Sequence, residues 1–260
     1  MLIAVTRAVS PTIAECELTH SPRDPIHVAH AEAEHACYEE TLRSLGATVV
    51  RAPPEPALPD AVFVEDTAFV LDEAAVITRP GAPTRRPETE SIGKVLSAYK
   101  QLLHIQPPGT LDGGDVLLVG RTLYVGLSSR TNREGVAQLQ TLLNKWGYEV
   151  IPVQVTGCLH LKSAVTQVAE HLLLINARWV RPECFGSMGM VTVAPAEPDG
   201  ANALRIGTAV IYPSHHPETA ERLDRAGVHV VPVPCAELAK AEGGVTCCSV
   251  LFEAETSAIL

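Results

Sequence analysis

The sequence predicts an α/β fold in which one β–α–β–β unit recurs five times and the copies close into a ring. Three observations carry this. Short apolar runs alternate with amphipathic helical stretches, and glycines at 46, 147 and 227 stand where helices should stop. After each proline-marked strand comes a short segment with a polar head, and the five heads Asp66, Asp112, His160, Asn202 and Cys247 are 46, 48, 42 and 45 residues apart. Every step also lands on a side chain able to do chemistry, so the heads are expected to converge on the ring's axis.

The elements follow in order. Leu2–Val5 reads as a strand and His30–Leu45 as a helix, with Ala31, Tyr38, Leu42 and Leu45 on one face; Thr48–Val50 is the next strand. Ala75–Thr78 opens the second unit, and its helix is predicted over Glu88–Leu103, with Ile92, Val95, Leu96, Tyr99 and Leu103 as the apolar stripe. The third runs from strand Leu123–Gly126 through helix Asn132–Trp146 to strand Glu149–Val155. A weaker fourth spans Leu172–Asn176 and Met190–Ala194. The last holds Ala209–Tyr212, a short helix through Leu223, and Val228–Pro234. The polar heads themselves are predicted to sit on short strands: Phe63–Asp66, Leu111–Asp115, Cys158–Lys162, Gly200–Asn202 and Val245–Cys247.

The chain is long enough for a full core: 260 residues, 46% of them hydrophobic. It is read as one domain over 1–260. A net charge of −10 argues against a nucleic-acid or anionic-membrane surface and suits a small cationic partner. The N-terminus lacks the basic region of a signal peptide, and no apolar run approaches the ~18 residues of a membrane helix. Seven scattered cysteines, an odd number with no CxxC pair, fit reduced thiols in a cytoplasm. Cys158-Leu159-His160 could ligate zinc, but no second pair stands at finger spacing, so neither metal nor cofactor is expected. Pairing of two copies into a homodimer is left open.

In Glu242-Gly243-Gly244-Val245-Thr246-Cys247, two glycines allow a turn with positive φ or a close approach just before a sulfur and a buried strand. Cys247 is therefore a candidate nucleophile, although small buried thiols are also common in cores. His160 is a candidate acid/base or a satisfied core histidine. Glu65, Asp66 and Asp112 are acids in apolar surroundings and need a cation, from the fold or from a ligand. A planar guanidinium, with five N–H donors, would match them. Acids around a cationic carbon, a thiol and an imidazole together suit cleavage of a guanidine C–N bond. Like-charged neighbours and burial should also hold the Cys247 thiol neutral until that cation arrives.

Asp60-Ala61-Val62-Phe63-Val64-Glu65-Asp66, Leu111-Asp112-Gly113-Gly114-Asp115, Ser129-Arg130-Thr131-Asn132, Leu159-His160-Leu161-Lys162 and Gly243-Gly244-Val245-Thr246-Cys247 resemble the signature of the dimethylarginine dimethylaminohydrolases. That family belongs to the guanidine-modifying (pentein) superfamily, and the resemblance implies a five-bladed α/β propeller of ββαβ units around a central channel. It implies Cys247 as nucleophile, His160 as proton donor and later base, and Asp112 as support for both His160 and the guanidinium. Asp66 and Glu65 would hold the guanidinium nitrogens. Asp60 and the backbone carbonyl of Leu18, in an N-terminal lid, would hold the α-amino group, and Arg85 and Arg130 the α-carboxylate. Phe63 would pack on the substrate and the Ala241 backbone would close the far side. The implied reaction converts Nω-methylated arginine to citrulline and an alkylamine. Cys248 reads as structural.

Four other readings compete, among them transfer to an acceptor amine, for which nothing in the sequence shows an acceptor site. One is a hydrolase or deiminase for a different guanidino or ureido amino acid, such as arginine. A propeller that only binds would have no need of the thiol, imidazole and acids together. A cysteine peptidase would give no reason for so many acids.

Overall fold

The computed structural model describes residues 1–255. The chain opens with β1 (Leu2–Thr6), α1 (Val28–Ser44) and β2 (Thr48–Arg51), and β2 runs parallel to β1 with Ile3 opposite Thr48. Then β3 (Ala68–Val70) and β4 (Ala74–Ile77) form an antiparallel hairpin. From there α2 (Glu88–Leu96) crosses over and β5 (Gln101–His104) returns parallel to β4. The plan repeats in β6 (Val116–Val119), β7 (Thr122–Leu127), α3 (Arg133–Leu143) and β8 (Glu149–Gln154). It repeats again, after the single turn α4 (Leu161–Ala164), in β9 (Val165–Ala169), β10 (Leu172–Ile175) and β11 (Gly189–Thr192). There a 3-10 turn, Pro182–Phe185, replaces the crossing helix.

The next repeat is β12 (Leu204–Ile206), β13 (Ala209–Pro213), α5 (Pro217–Arg225) and β14 (His229–Val233). Finally α6 (Ala236–Ala239) leads to β15 (Val250–Glu253), which pairs antiparallel with β1, Val250 opposite Val5. The described residues thus form five three-stranded sheets, one of them joining β15 to β1 and β2.

Each sheet's middle strand is its most buried, because it is covered on both sides: every residue of β4 and of β13 is buried. The helices lay one stripe on the outer strands. In α3 the Asn132 side chain caps the first turn by accepting from Gly135 N–H, and Val136, Leu139 and Leu143 turn inward. Leu139 and Leu143 are fully buried, a transfer worth about 1.5–3 kcal/mol apiece.

Two expectations need correction. The helix predicted to reach Leu103 stops at Leu96, because Leu102 and Leu103 pair with Ala75 and Val76 as part of β5. The polar heads do not lie on strands. They sit on the turns that precede each sheet's first strand, since a strand would send neighbouring residues to opposite faces and scatter the polar groups. Among the described residues, no helix is long and apolar enough to cross a membrane.

Candidate functional site

Five turns bring the heads together. Asp66 lies in the 3-10 turn Val64–Thr67, Asp112 precedes the turn Gly113–Asp115, and His160 stands at the N-cap of α4. Asn202 precedes β12, and Cys247 lies in the turn between α6 and β15. Glycine is required at the close approaches: a Cβ on Gly114 would sit 2.6 Å from His160 Nδ1, and one on Gly243 would sit 2.2 Å from Phe63 Cε1. The glycine pair before Cys247 thus serves proximity. Of the two uses open to it, the close approach holds, and the positive φ falls on Glu242, at 56°.

Neighbouring heads touch. Gly114 N–H donates to Asp66 Oδ1 at 3.0 Å, and His160 Nε2 meets Asp112 Oδ2 at 3.0 Å. Asn202 Nδ2 donates to the Lys162 carbonyl and to Thr246 Oγ1, and its Oδ1 accepts from Thr246 N–H. Glu65 N–H donates to the Cys247 carbonyl at 3.1 Å, joining the first head to the last.

A small cavity is lined by Cys247, His160 and Asp66 together with Asp60, Arg85 and Arg130; Phe63 and Ala241 also line it. Cys247 alone among the five heads is partly exposed, and its Sγ accepts from Gly244 N–H at 3.3 Å. Burial, then Glu65 and Asp66, push this thiol well above the ordinary range. Burial alone would lower the His160 imidazole, but Asp66, the hydrogen bond to Asp112, and Asp115 outweigh it and raise it to about 9. At neutral pH the site therefore holds an imidazolium and a neutral thiol. Asp66 is held at about 2, because His160 and Arg85 outweigh its burial.

Two residues expected at the guanidinium and the carboxylate are differently engaged. Glu65 does not line this cavity: its carboxylate takes Lys162 Nζ at 2.5 Å and Thr246 Oγ1 at 2.7 Å, and it faces a second cavity shared with Lys162. Each of its two oxygens is thus already engaged within the protein. Arg85 is buried and gives Nε and Nη2 to Glu88, Nη2 also to the carbonyls of Asp60 and Phe63, and Nη1 to Asp66, so one Nη1 hydrogen remains. Arg130 contrasts with it. Nη2 donates to Thr19 Oγ1 at 3.2 Å, while Nη1 is buried with no hydrogen-bond partner, 3.9 Å from Asp112 Oδ2.

Asp60 Oδ2 accepts from Glu17 N–H at 3.1 Å, which puts Leu18 between a residue tied to Asp60 and one tied to Arg130. Asp66, Asp112 and His160 bring potential metal ligands within 4.8 Å of one another, but they are already paired within the protein, His160 Nε2 with Asp112 and Asp66 Oδ2 with Arg85. Cys158 is buried and bonded to the His160 carbonyl, and burial pushes its thiol up to about 12, so it is not presented beside the imidazole as a zinc ligand.

The sequence reading gave no role to Asp115, Lys162 or Thr246, though all three lie inside the quoted motifs. Asp115 braces the His160 turn, accepting from Leu161 N–H at 2.9 Å. Glu17 and Thr19, beside Leu18 in the expected lid, and Glu242, at the head of the stretch leading to Cys247, were also given no role, because only folding brings them together.

Comparison with known proteins adds to this geometry. A family model described as N,N dimethylarginine dimethylhydrolase, eukaryotic, matches residues 17–183. The chain is 34% identical to the N(G),N(G)-dimethylarginine dimethylaminohydrolase of Pseudomonas aeruginosa, over 90% of this chain and 93% of that protein. It is 37% identical to the protein of the same name from Streptomyces coelicolor, over 95% of each. Among solved structures, a cysteine-to-serine variant of the Pseudomonas aeruginosa enzyme complexed with citrulline superposes with a TM-score of 0.91 at 32% identity, covering 96% of this chain and 98% of that one. The amino-terminal domain of a cyanobacterial arginine dihydrolase bound to its product shares the fold, with a TM-score of 0.88 at 17% identity over 97% of this chain and 98% of that one.

Proposed function

The chain belongs to the dimethylarginine dimethylaminohydrolase family, and we propose that it hydrolyses Nω-methylated arginine to citrulline and an alkylamine. The observation that carries this is the cavity Cys247 shares with Asp66 and a protonated His160. A thiol among acids is useless as a resting nucleophile, but a cationic carbon would activate it.

The guanidinium docks beside Asp66, and its charge offsets the field of that carboxylate and of Asp112, which is buried behind the imidazole. The Cys247 thiol then loses its proton to solvent, and Sγ attacks the guanidinium carbon. His160 gives its proton to the departing methylamine or dimethylamine, leaving a covalent thiouronium. Neutral His160 next takes one proton from an entering water as the oxygen bonds to carbon. The second water proton returns to the sulfur as the C–S bond breaks, and citrulline is released. Asp112, at 3.0 Å from Nε2, orients the imidazole throughout.

At the other end, Asp60 and the carbonyl of Leu18 take the α-amino group. Arg130, with its unpartnered Nη1, takes the α-carboxylate, and Arg85 adds its one remaining hydrogen. Phe63 packs along the aliphatic stem, beside the backbone of Ala241. These contacts hold the substrate's ground state and so chiefly position the carbon.

The described residues, 1–255 of the domain expected over 1–260, are read as one such domain, a closed five-bladed propeller. Supporting closure are the shared sheet of β1 and β15 and the bond from Glu65 to Cys247. Seven free cysteines favour the cytoplasm.

Incubation with asymmetric dimethylarginine, arginine and agmatine, followed by assays of citrulline, dimethylamine and ammonia, tests the reading. Citrulline and dimethylamine from the methylated substrate are expected. Ammonia from arginine as the dominant product would replace it with a deiminase.

A further inference from the structure

The segment Glu17–His27, which borders the cavity, is largely exposed, with Leu18 and Ile26 as its partly buried apolar contacts. Polar contacts hold most of it, and many come from the stretch that also carries the sulfur. Glu237 accepts from His27 N–H at 2.9 Å, and Lys240 donates to the Pro25 carbonyl at 3.0 Å. Glu242 makes the largest contribution. Its Oε2 accepts from Thr19 N–H at 3.0 Å, and its Oε1 accepts from His20 and Ser21 N–H at 2.6 and 2.5 Å. Three successive amides pointing at one carboxylate form an anion-binding nest, filled here from within the chain.

The backbone bears a cost to place this carboxylate. Glu242 is the single non-glycine residue with positive φ among the described residues. Glycine would relieve that strain and is what the backbone alone would select. Thr19 also links this contact to the substrate end of the cavity, since its hydroxyl accepts from Arg130 Nη2 while Arg130 Nη1 is left unpartnered.

We propose that Glu242 is a positioning residue that seats the Glu17–Asp24 segment over the cavity and, through Thr19, aims Arg130 at the substrate carboxylate. The inference rests on the function proposed above for that carboxylate. Glu242 touches no reacting atom in this account. It acts on substrate binding through the lid, not on bond cleavage.

Glu242→Gly separates the two roles the residue could have, because it removes the carboxylate while easing the backbone; Glu242→Gln keeps the size and removes the charge. Hydrogen exchange at the amides of Thr19, His20 and Ser21, measured without substrate, reads the latch directly. Exchange should quicken at least about tenfold in both variants, and KM for monomethylarginine should rise about tenfold or more with kcat within about threefold. The melting temperature of Glu242→Gly should not fall. Unchanged exchange would overturn the latch, and faster exchange with unchanged KM would overturn its link to Arg130. A wild-type protein that makes no citrulline would sink the functional reading, while the exchange measurement would still decide the latch.

Discussion

The imidazole of His160 meets the carboxylate of Asp112 at 3.0 Å, joining turns 48 residues apart in the chain. Its other nitrogen lies 3.7 Å from Asp66 Oδ1. Burial would disfavour the cation, yet these acids keep the ring protonated up to about 9.

That relationship has a consequence for stability. The folded value lies above the ordinary 6.5, so the contribution is complete below about 6.5 and is lost as pH rises toward 9. The melting temperature should therefore fall between pH 6.5 and 8.5, a window below the ordinary thiol range. His160→Gln keeps a donor for Asp112 but cannot titrate, so its melting temperature should be flatter across the same window. An equal slope in both proteins would remove His160 as the cause.

The two arginines should part company. Arg130 has a buried Nη1 without a partner, so Arg130→Ala should lower kcat/KM for methylarginine about 10- to 150-fold, the worth of a charge-assisted contact. A decarboxylated analogue should be affected far less. Arg85→Ala strands Asp66 and Glu88, both buried, and should cost about 3–5 kcal/mol of folding stability. Urea unfolding beside the two-substrate assay distinguishes them; equal substrate losses for Arg130→Ala would make it structural as well.

Lys162 and Glu65 form a largely buried pair on the side away from the sulfur's cavity. Lys162→Met should destabilise the fold by about 3 kcal/mol, because it leaves the Glu65 carboxyl with only Thr246. Replacing both residues, as Lys162→Met with Glu65→Leu, should recover much of that loss. Equal losses in the single and double variants would deny the coupling.

Much of this was legible in the sequence because spacing survives folding. Steps of 42 to 48 residues between Asp66, Asp112, His160, Asn202 and Cys247 reported the repeat, and the turns that carry those residues do touch one another. What spacing could not report is competition. Glu65 and Arg85 carry the right chemistry for a ligand, but Lys162 and Glu88 reach them first, from residues 97 and 3 positions away. Nor could periodicity separate the end of α2 from β5, since an apolar pair such as Leu102-Leu103 suits a helix stripe and a strand alike. The contact of Glu242 with Thr19 spans 223 residues and belongs to no motif.

The central claim is that Cys247 is the nucleophile and stays a neutral thiol until a guanidinium arrives. Its most direct test is alkylation by neutral iodoacetamide as a function of pH, without ligand. Peptide mass mapping should read out modification at Cys247, in a Cys37→Ser background that removes the exposed thiol. Burial, Glu65 and Asp66 all raise the thiol, so the rate at Cys247 should climb only on the alkaline side, above the ordinary value of about 8.5. An alkylation pKa at Cys247 below about 7 would contradict the account, because it would require a preformed thiolate paired with the His160 imidazolium.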